Sequence, residues 1–286
     1  MSLLKIMVLA MVQGAAELLP VSSSAHVIVT EKLLGLDPTT PEMTLLLVML
    51  HTGTMFAVIA YFWSSWKINF FSSKQRFWNF AKLVTVATFF TGIVGLALKY
   101  VIEKIVYRNV PHAQVEFLFG NLPLIAVALA AVGVFIIYAG RPRNRLRQAS
   151  SLGMKESSWI GAVQGICLPF RGFSRSGATI STGLVMGVDK DRLEEFSFAL
   201  AVVLTPPVIM REVWRLLQAH AVSWSQGAGP IALFYPSLLG MVLSFASGLL
   251  ALKWLSRWLE QGRWPLFGGY CLVFAAMVLT LAKIGF

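Results

Sequence analysis

Apolar residues run along this chain in blocks long enough to cross a bilayer, and the polar residues gather in short stretches between them. A helix needs about 20 mostly apolar residues to span the hydrocarbon. Six segments meet that length, roughly 43–63, 81–100, 117–139, 194–216, 229–252 and 265–283, and each is predicted to be a transmembrane helix. Two further segments, about 3–30 and 156–188, are apolar at both ends but broken in the middle. Pro20 with Ser22, Ser23 and Ser24 interrupts the first, and Pro169 with Arg171, Ser174, Arg175 and Ser176 interrupts the second. Irregular backbone at membrane depth survives only where protein buries it or it lines a wet cavity. Both segments are therefore expected to be re-entrant helix–loop–helix hairpins in an all-α polytopic membrane protein.

The two interruptions echo each other. An offset of 151 takes Gln13, Gly14 and Ser23 to Gln164, Gly165 and Ser174, and an offset of 152 takes Gly35-Leu36-Asp37 to Gly187-Val188-Asp189. Three predicted spans follow each hairpin, so the second copy starts from the opposite side of the membrane. That pattern is an inverted-topology repeat, with repeat 1 at about 1–139, repeat 2 at about 156–286 and a basic linker at 140–155, all within one integral membrane domain, 1–286. In such folds the functional site is expected where the broken helices of the two repeats meet.

Composition agrees with the pattern. The chain is 57% hydrophobic and 13% charged, with a mean hydropathy of +0.71, against roughly 25% charged residues in soluble domains. The first apolar stretch runs directly into a polar cluster, unlike a cleaved signal peptide, and is expected to belong to the folded protein. The net charge of +11 is spread over short loops. Arg141, Arg143, Arg145, Arg147 and Lys155 mark the linker as cytoplasmic. Alternation then puts 64–80 and 253–263 on the same side and 217–228, without Lys or Arg, outside. Cations placed this way argue against a nucleic-acid partner. Cys167 and Cys271 lie in apolar segments without metal-ligand spacing and read as small hydrophobic residues. Residues 189–195, DKDRLEE, are expected to be a solvated helix start, and Pro206-Pro207 should kink or unwind the fourth span.

The polar residues of the hairpins carry the candidate chemistry. Gln13 and Glu17 stand four residues apart on one helix face. Pro20 breaks that helix, and Ser22, Ser23, Ser24 and His26 follow. An ionisable group at the centre of a span costs at least ~2.5–3.5 kcal/mol, so Glu17 and His26 need partners or water. The second hairpin offers Arg175 between Ser174 and Ser176, with Thr179 one turn on. If the loop tips meet, one cavity holds a carboxylate, an imidazole, hydroxyls and a guanidinium. Arginine grips phosphate bidentately, loop amides leading into a helix favour an anion, and a serine beside an imidazole can become a nucleophile. Plainer readings stand beside this one: Ser22 and Ser24 as helix caps, His26 as a satisfied buried histidine, Arg171 as a structural cation. His51, with Thr52 and Thr54 in mid-span, lines the same cavity or makes a packed polar contact. A transporter or lipid flippase would also explain inverted repeats with a polar site at the midplane.

The motifs resemble those of the bacterial undecaprenyl-diphosphate phosphatases of the bacitracin-resistance (BacA/UppP) family. That family's first motif, Glu or Gln, then Glu four residues on, then Pro-x-Ser-Ser-x-x-His, reads here as QGAAELLPVSSSAH, and its second, Pro-Gly-x-Ser-Arg-Ser-Gly-x-Thr, reads as RGFSRSGAT at 171–179. The resemblance implies hydrolysis of undecaprenyl diphosphate to undecaprenyl phosphate and inorganic phosphate, which recycles the lipid carrier of peptidoglycan and confers bacitracin resistance. It implies Glu17 as the essential carboxylate, Ser23 as nucleophile, His26 as base or acid, and Arg175 as the diphosphate anchor, helped by Ser174, Ser176 and Thr179, with Ser22 beside them. It also implies a divalent cation, magnesium or calcium, on Glu17 and Gln13, and a site opening toward the periplasm from the bacterial inner membrane. The polyprenyl tail would stay among membrane lipids and reach the site through a lateral opening. A homodimer is compatible with the sequence, which leaves the oligomeric state open. Gln13 stands where many members carry Glu, and Arg171 where the pattern has Pro.

Overall fold

The computed structural model describes residues 2–37, 40–108, 115–141, 151–220 and 230–285. Arg143, Arg145 and Arg147 of the basic linker and part of the predicted external loop lie outside them. Every regular element among the described residues is helical. In chain order these are α1 (Leu3–Leu18), α2 (Ser23–Leu33), α3 (Pro41–Asn69), α4 (Lys74–Val101), α5 (Leu122–Ala139), α6 (Met154–Cys167), α7 (Arg175–Val185), α8 (Lys190–His220), α9 (Pro230–Glu260) and α10 (Trp264–Lys283). A π-helical turn, Ile102–Val106, extends α4, and a 3₁₀ turn, Val115–Leu118, precedes α5.

The six predicted spans correspond to α3, α4, α5, α8, α9 and α10, all long and apolar enough to cross a membrane. Their outward residues are apolar too: Phe89 is 62% exposed, Leu96 69% and Val273 73%. Such a continuous greasy exterior suits lipid rather than water, so the protein is a multi-pass membrane protein. The remaining helices, α1 with 16 residues, α2 with 11, α6 with 14 and α7 with 11, are each too short to span. They form the two helix–loop–helix pairs expected from the broken segments.

Packing between the halves is reciprocal. Helix α1 lies against α9, α6 lies against α4, and α5 pairs with α10. The repeated Gln-Gly dipeptide explains part of this. A Cβ on Gly14 would lie 2.6 Å from the Ser244 carbonyl oxygen, and one on Gly165 would lie 2.8 Å from that of Thr91. Both helix crossings therefore depend on a residue without a side chain. The neighbouring glutamines are buried, Gln13 at 1% and Gln164 at 0% exposure. Gln13 hydrogen-bonds Glu17, and Gln164 donates to the Thr91 hydroxyl at 3.1 Å.

One sequence expectation needs correction, and a second is narrowed. Glu194 and Glu195 are not solvated; each is 5% exposed. Ser256 of α9 donates to Glu194 at 2.5 Å, and Ser65 and Asn69 of α3 both donate to Glu195. Two neighbouring helices thus supply the hydrogen bonds that water was expected to give. Of the two outcomes expected at Pro206-Pro207, a kink or an unwinding, the unwinding does not occur: α8 runs helical through both prolines. The Thr205 hydroxyl, one residue before the pair, donates to the Ala201 carbonyl at 2.7 Å.

Candidate active site

Glu17 lies in the last turn of α1, one helical turn beyond Gln13, so both side chains leave the same face. Leu19 ends that helix in an extended conformation, and the chain turns through Pro20 and Val21 into Ser22. Ser22 has φ 69°, the only positive φ at a non-glycine among the described residues. Such a conformation is uncommon for an L-residue and persists only where its surroundings enforce it. Helix α2 then starts at Ser23 and points its first-turn amides back at the loop.

The second hairpin repeats the arrangement. Ser174 caps α7, accepting from the Gly177 amide at 3.2 Å, and Arg175 opens the helix. The two tips meet. Ser176 donates to the Leu19 carbonyl at 3.3 Å, and the Cys271 thiol of α10 donates to the Pro20 carbonyl at 3.4 Å. Thr179 donates to the Arg175 carbonyl at 2.8 Å, and its hydroxyl lies 2.6 Å from that of Ser197 on α8. The first loop is thus fastened by residues of the second half.

Glu17 is the centre of the cluster. Its carboxylate accepts from Ser23 Oγ at 2.6 Å, from Gln13 Nε2 at 3.2 Å and from Arg175 Nη2 at 3.4 Å. His51 Nε2 from α3 lies 3.7 Å away. A carboxylate held within the membrane requires such partners, and four neighbouring groups supply them. Arg175 keeps a resource in reserve, because its Nη1 is buried with no hydrogen-bond partner. A buried guanidinium nitrogen without an acceptor is costly, and phosphate oxygens are its natural complement. Exposure of the side chains rises from 18% for Glu17 and 21% for Arg175 to 45% for His51.

His26 sits differently from the expected Ser–His pair. Its Nδ1 lies 2.8 Å from the Ser22 carbonyl oxygen and its Nε2 lies 2.7 Å from the Tyr270 hydroxyl on α10. The Ser23 hydroxyl goes to Glu17 instead. Arg171 lies over the Phe119 ring at 4.1 Å, at the edge of the second loop. Beyond the motif residues the site includes His51, left open in the sequence between cavity lining and a packed polar contact, and Tyr270, which the sequence did not single out. A histidine in mid-span was the signal for His51; nothing local marks a tyrosine near the start of the last span.

The carboxylate, hydroxyl and partly free guanidinium sit in the motifs that prompted the resemblance, and comparison with known proteins agrees. The family profile described as "Bacitracin resistance protein BacA" matches residues 6–277. The chain is 56% identical over 283 residues, 99% of each chain, to a protein of Acinetobacter baylyi named undecaprenyl-diphosphatase 2. It is 33% identical over 96% of its length to one of that name from Burkholderia orbicola, covering 94% of that protein. It is also 30% identical to an undecaprenyl-diphosphatase of Rhodopirellula baltica, covering 98% of each chain. The chain belongs to the bacitracin-resistance BacA family.

Proposed function

We propose that this protein hydrolyses undecaprenyl diphosphate to undecaprenyl phosphate and inorganic phosphate, recycling the lipid carrier and thereby conferring bacitracin resistance. The observation that carries this reading is the joining of Glu17, from the first hairpin, to both Ser23 and Arg175, with Arg175 Nη1 left for a phosphate oxygen.

The geometry supports a division of labour. Arg175, with the first-turn amides of α2 and α7, holds the diphosphate, since helix N-termini attract anions. Ser23 Oγ attacks the terminal phosphorus while Glu17, 2.6 Å away, takes its proton. The bond from that phosphorus to the bridging oxygen breaks, undecaprenyl phosphate leaves with the electron pair, and the phosphoryl group rests on Ser23. Water then attacks the phosphoserine and gives a proton to His26 as base, which passes it to the departing phosphate; the serine oxygen leaves, takes its proton back from Glu17, and inorganic phosphate is released. In this scheme the carboxylate, rather than His26, activates Ser23. Ser174, Ser176 and Thr179 hold the second loop in place around Arg175, and Ser22 aims its carbonyl at His26.

Among the described residues no group of three or more His, Cys, Asp or Glu gathers to hold a metal unaided. Glu17 is the one carboxylate of the cluster, and Gln13 turns its Nε2 toward it, so magnesium or calcium would rest on Glu17 and the substrate phosphates, with Gln13 a ligand only after turning its amide. Magnesium or calcium there would neutralise diphosphate charge. In this reading the site opens toward the periplasmic side of the bacterial inner membrane, as the resemblance implies, while Arg76 and Arg192 line one cavity with Ser151 and Leu152 of the linker at the end that the positive-inside rule assigns to the cytoplasm. The carrier alternative is not favoured: the relatives are named as diphosphatases, and a nucleophile bonded to a base serves hydrolysis. The test is phosphate release from undecaprenyl diphosphate by purified wild type and Ser23→Ala, with and without chelator. Release by wild type that Ser23→Ala and the chelator each abolish supports the scheme; full activity of Ser23→Ala overturns the serine nucleophile.

A further inference from the structure

The proton inventory of His26 is fixed by its two neighbours. A backbone carbonyl cannot donate, so the Nδ1 atom 2.8 Å from the Ser22 oxygen carries the hydrogen. In the neutral ring the lone pair is then on Nε2, which makes Nε2 the atom that can exchange a proton. Nε2 lies 2.7 Å from the Tyr270 hydroxyl. A phenol hydroxyl donates to the neutral nitrogen and, after turning, accepts from the protonated one. It can therefore stay with the imidazole through a full protonation cycle.

Packing holds the ring for this purpose. Phe274, one turn along α10, stacks on His26 with centroids 3.9 Å apart and planes 6° from parallel, and Tyr270 lies nearly parallel at 5.6 Å. On the other side, the Ser22 carbonyl is aimed by the left-handed turn at φ 69°. The strained residue and the aromatic pair come from opposite ends of the chain and fix one imidazole between them. This is more than a buried histidine needs for satisfaction, because both its tautomer and its plane are set.

We propose that Tyr270 is a positioning residue of the active site: with the tautomer of His26 set by the Ser22 carbonyl, its hydroxyl holds the ring in place and accompanies Nε2 as that atom gives and takes the proton used in turnover. The proposal rests on the acid–base role of His26 implied by the family motif. Tyr270→Phe keeps the aromatic stack and removes only the hydroxyl, so it should fold like wild type in a thermal melt. Its kcat should fall by about tenfold or more while KM stays within about twofold, as expected for a group acting in general acid–base catalysis. Because Tyr270 acts through His26, the double variant His26→Ala with Tyr270→Phe should be no slower than His26→Ala alone, whereas independent structural effects would multiply. Imidazole ¹⁵N resonances of wild type, assigned by their loss in His26→Ala, should report the Nδ1-protonated tautomer with a hydrogen-bonded Nε2. Wild-type turnover in Tyr270→Phe with an inactive His26→Ala overturns this proposal alone, as does an Nε2-protonated ring. Wild-type turnover in His26→Ala overturns the role of the histidine and the proposal with it.

Discussion

Glu17 gathers Gln13, Ser23, Arg175 and His51, and each contact has a different origin in the chain. Gln13 and Ser23 are near in sequence, so their convergence on Glu17 could be read from spacing and a proline break. Arg175 was legible for another reason: a cation inside a greasy segment is too costly to stand without a partner. His51 was legible only as one of two alternatives, cavity lining or a packed polar contact, and Tyr270 was not legible at all. Their roles depend on which faces α3 and α10 turn toward the loops, and spacing within either helix does not encode that. Arg175 touches Glu17 with Nη2 and leaves Nη1 open, which requires a fork of nitrogens. Lysine offers one point charge and cannot serve both. Arg175→Lys should therefore lower kcat/KM about 100-fold or more, the scale seen when a transition-state donor is removed. Phosphate-release kinetics on protein with an unchanged melting temperature would check this, and a loss below about threefold would contradict the assigned role.

At the scale of elements, long apolar blocks made the six spans readable, and proline with clustered serines made both hairpins readable. The misread stretch was 189–195, where Glu194 and Glu195 resemble a solvated helix start but are buried against Ser256, Ser65 and Asn69. Those donors sit on α3 and α9, so the sequence around the acids could not reveal them. The loop between α1 and α2 carries a constraint that is also invisible in sequence, the left-handed Ser22. Glycine adopts that backbone freely, whereas a β-branched residue there is a genuine outlier. Ser22→Gly should keep the turn. Ser22→Val should swing the carbonyl away from His26 and run slower than Ser22→Gly by about tenfold or more, the scale of a disturbed acid–base group. Equal rates for the two variants would show that the turn geometry does not matter to turnover.

Across the whole molecule the two halves share a packing pattern but not a set of charged groups. Reciprocal packing of α1 on α9 and α6 on α4 needs the same Gln-Gly dipeptide in both halves. The charged groups are not duplicated: Leu168 stands at the 151-residue offset from Glu17, and Arg175 stands at that offset from Ser24. In the proposed scheme one half supplies the carboxylate and the attacking hydroxyl and the other the phosphate anchor, so the scheme needs both halves in contact. Glu17 is the group on which every part of this account converges. The decisive measurement is the initial rate of phosphate release from undecaprenyl diphosphate by purified wild type and by Glu17→Gln, which keeps the shape and removes the charge. Steady release by wild type and at least a ~100-fold lower rate for a normally folded Glu17→Gln are predicted, in line with loss of a general base. Wild-type protein inactive with every divalent cation tried, or Glu17→Gln releasing phosphate at the wild-type rate, would contradict the account.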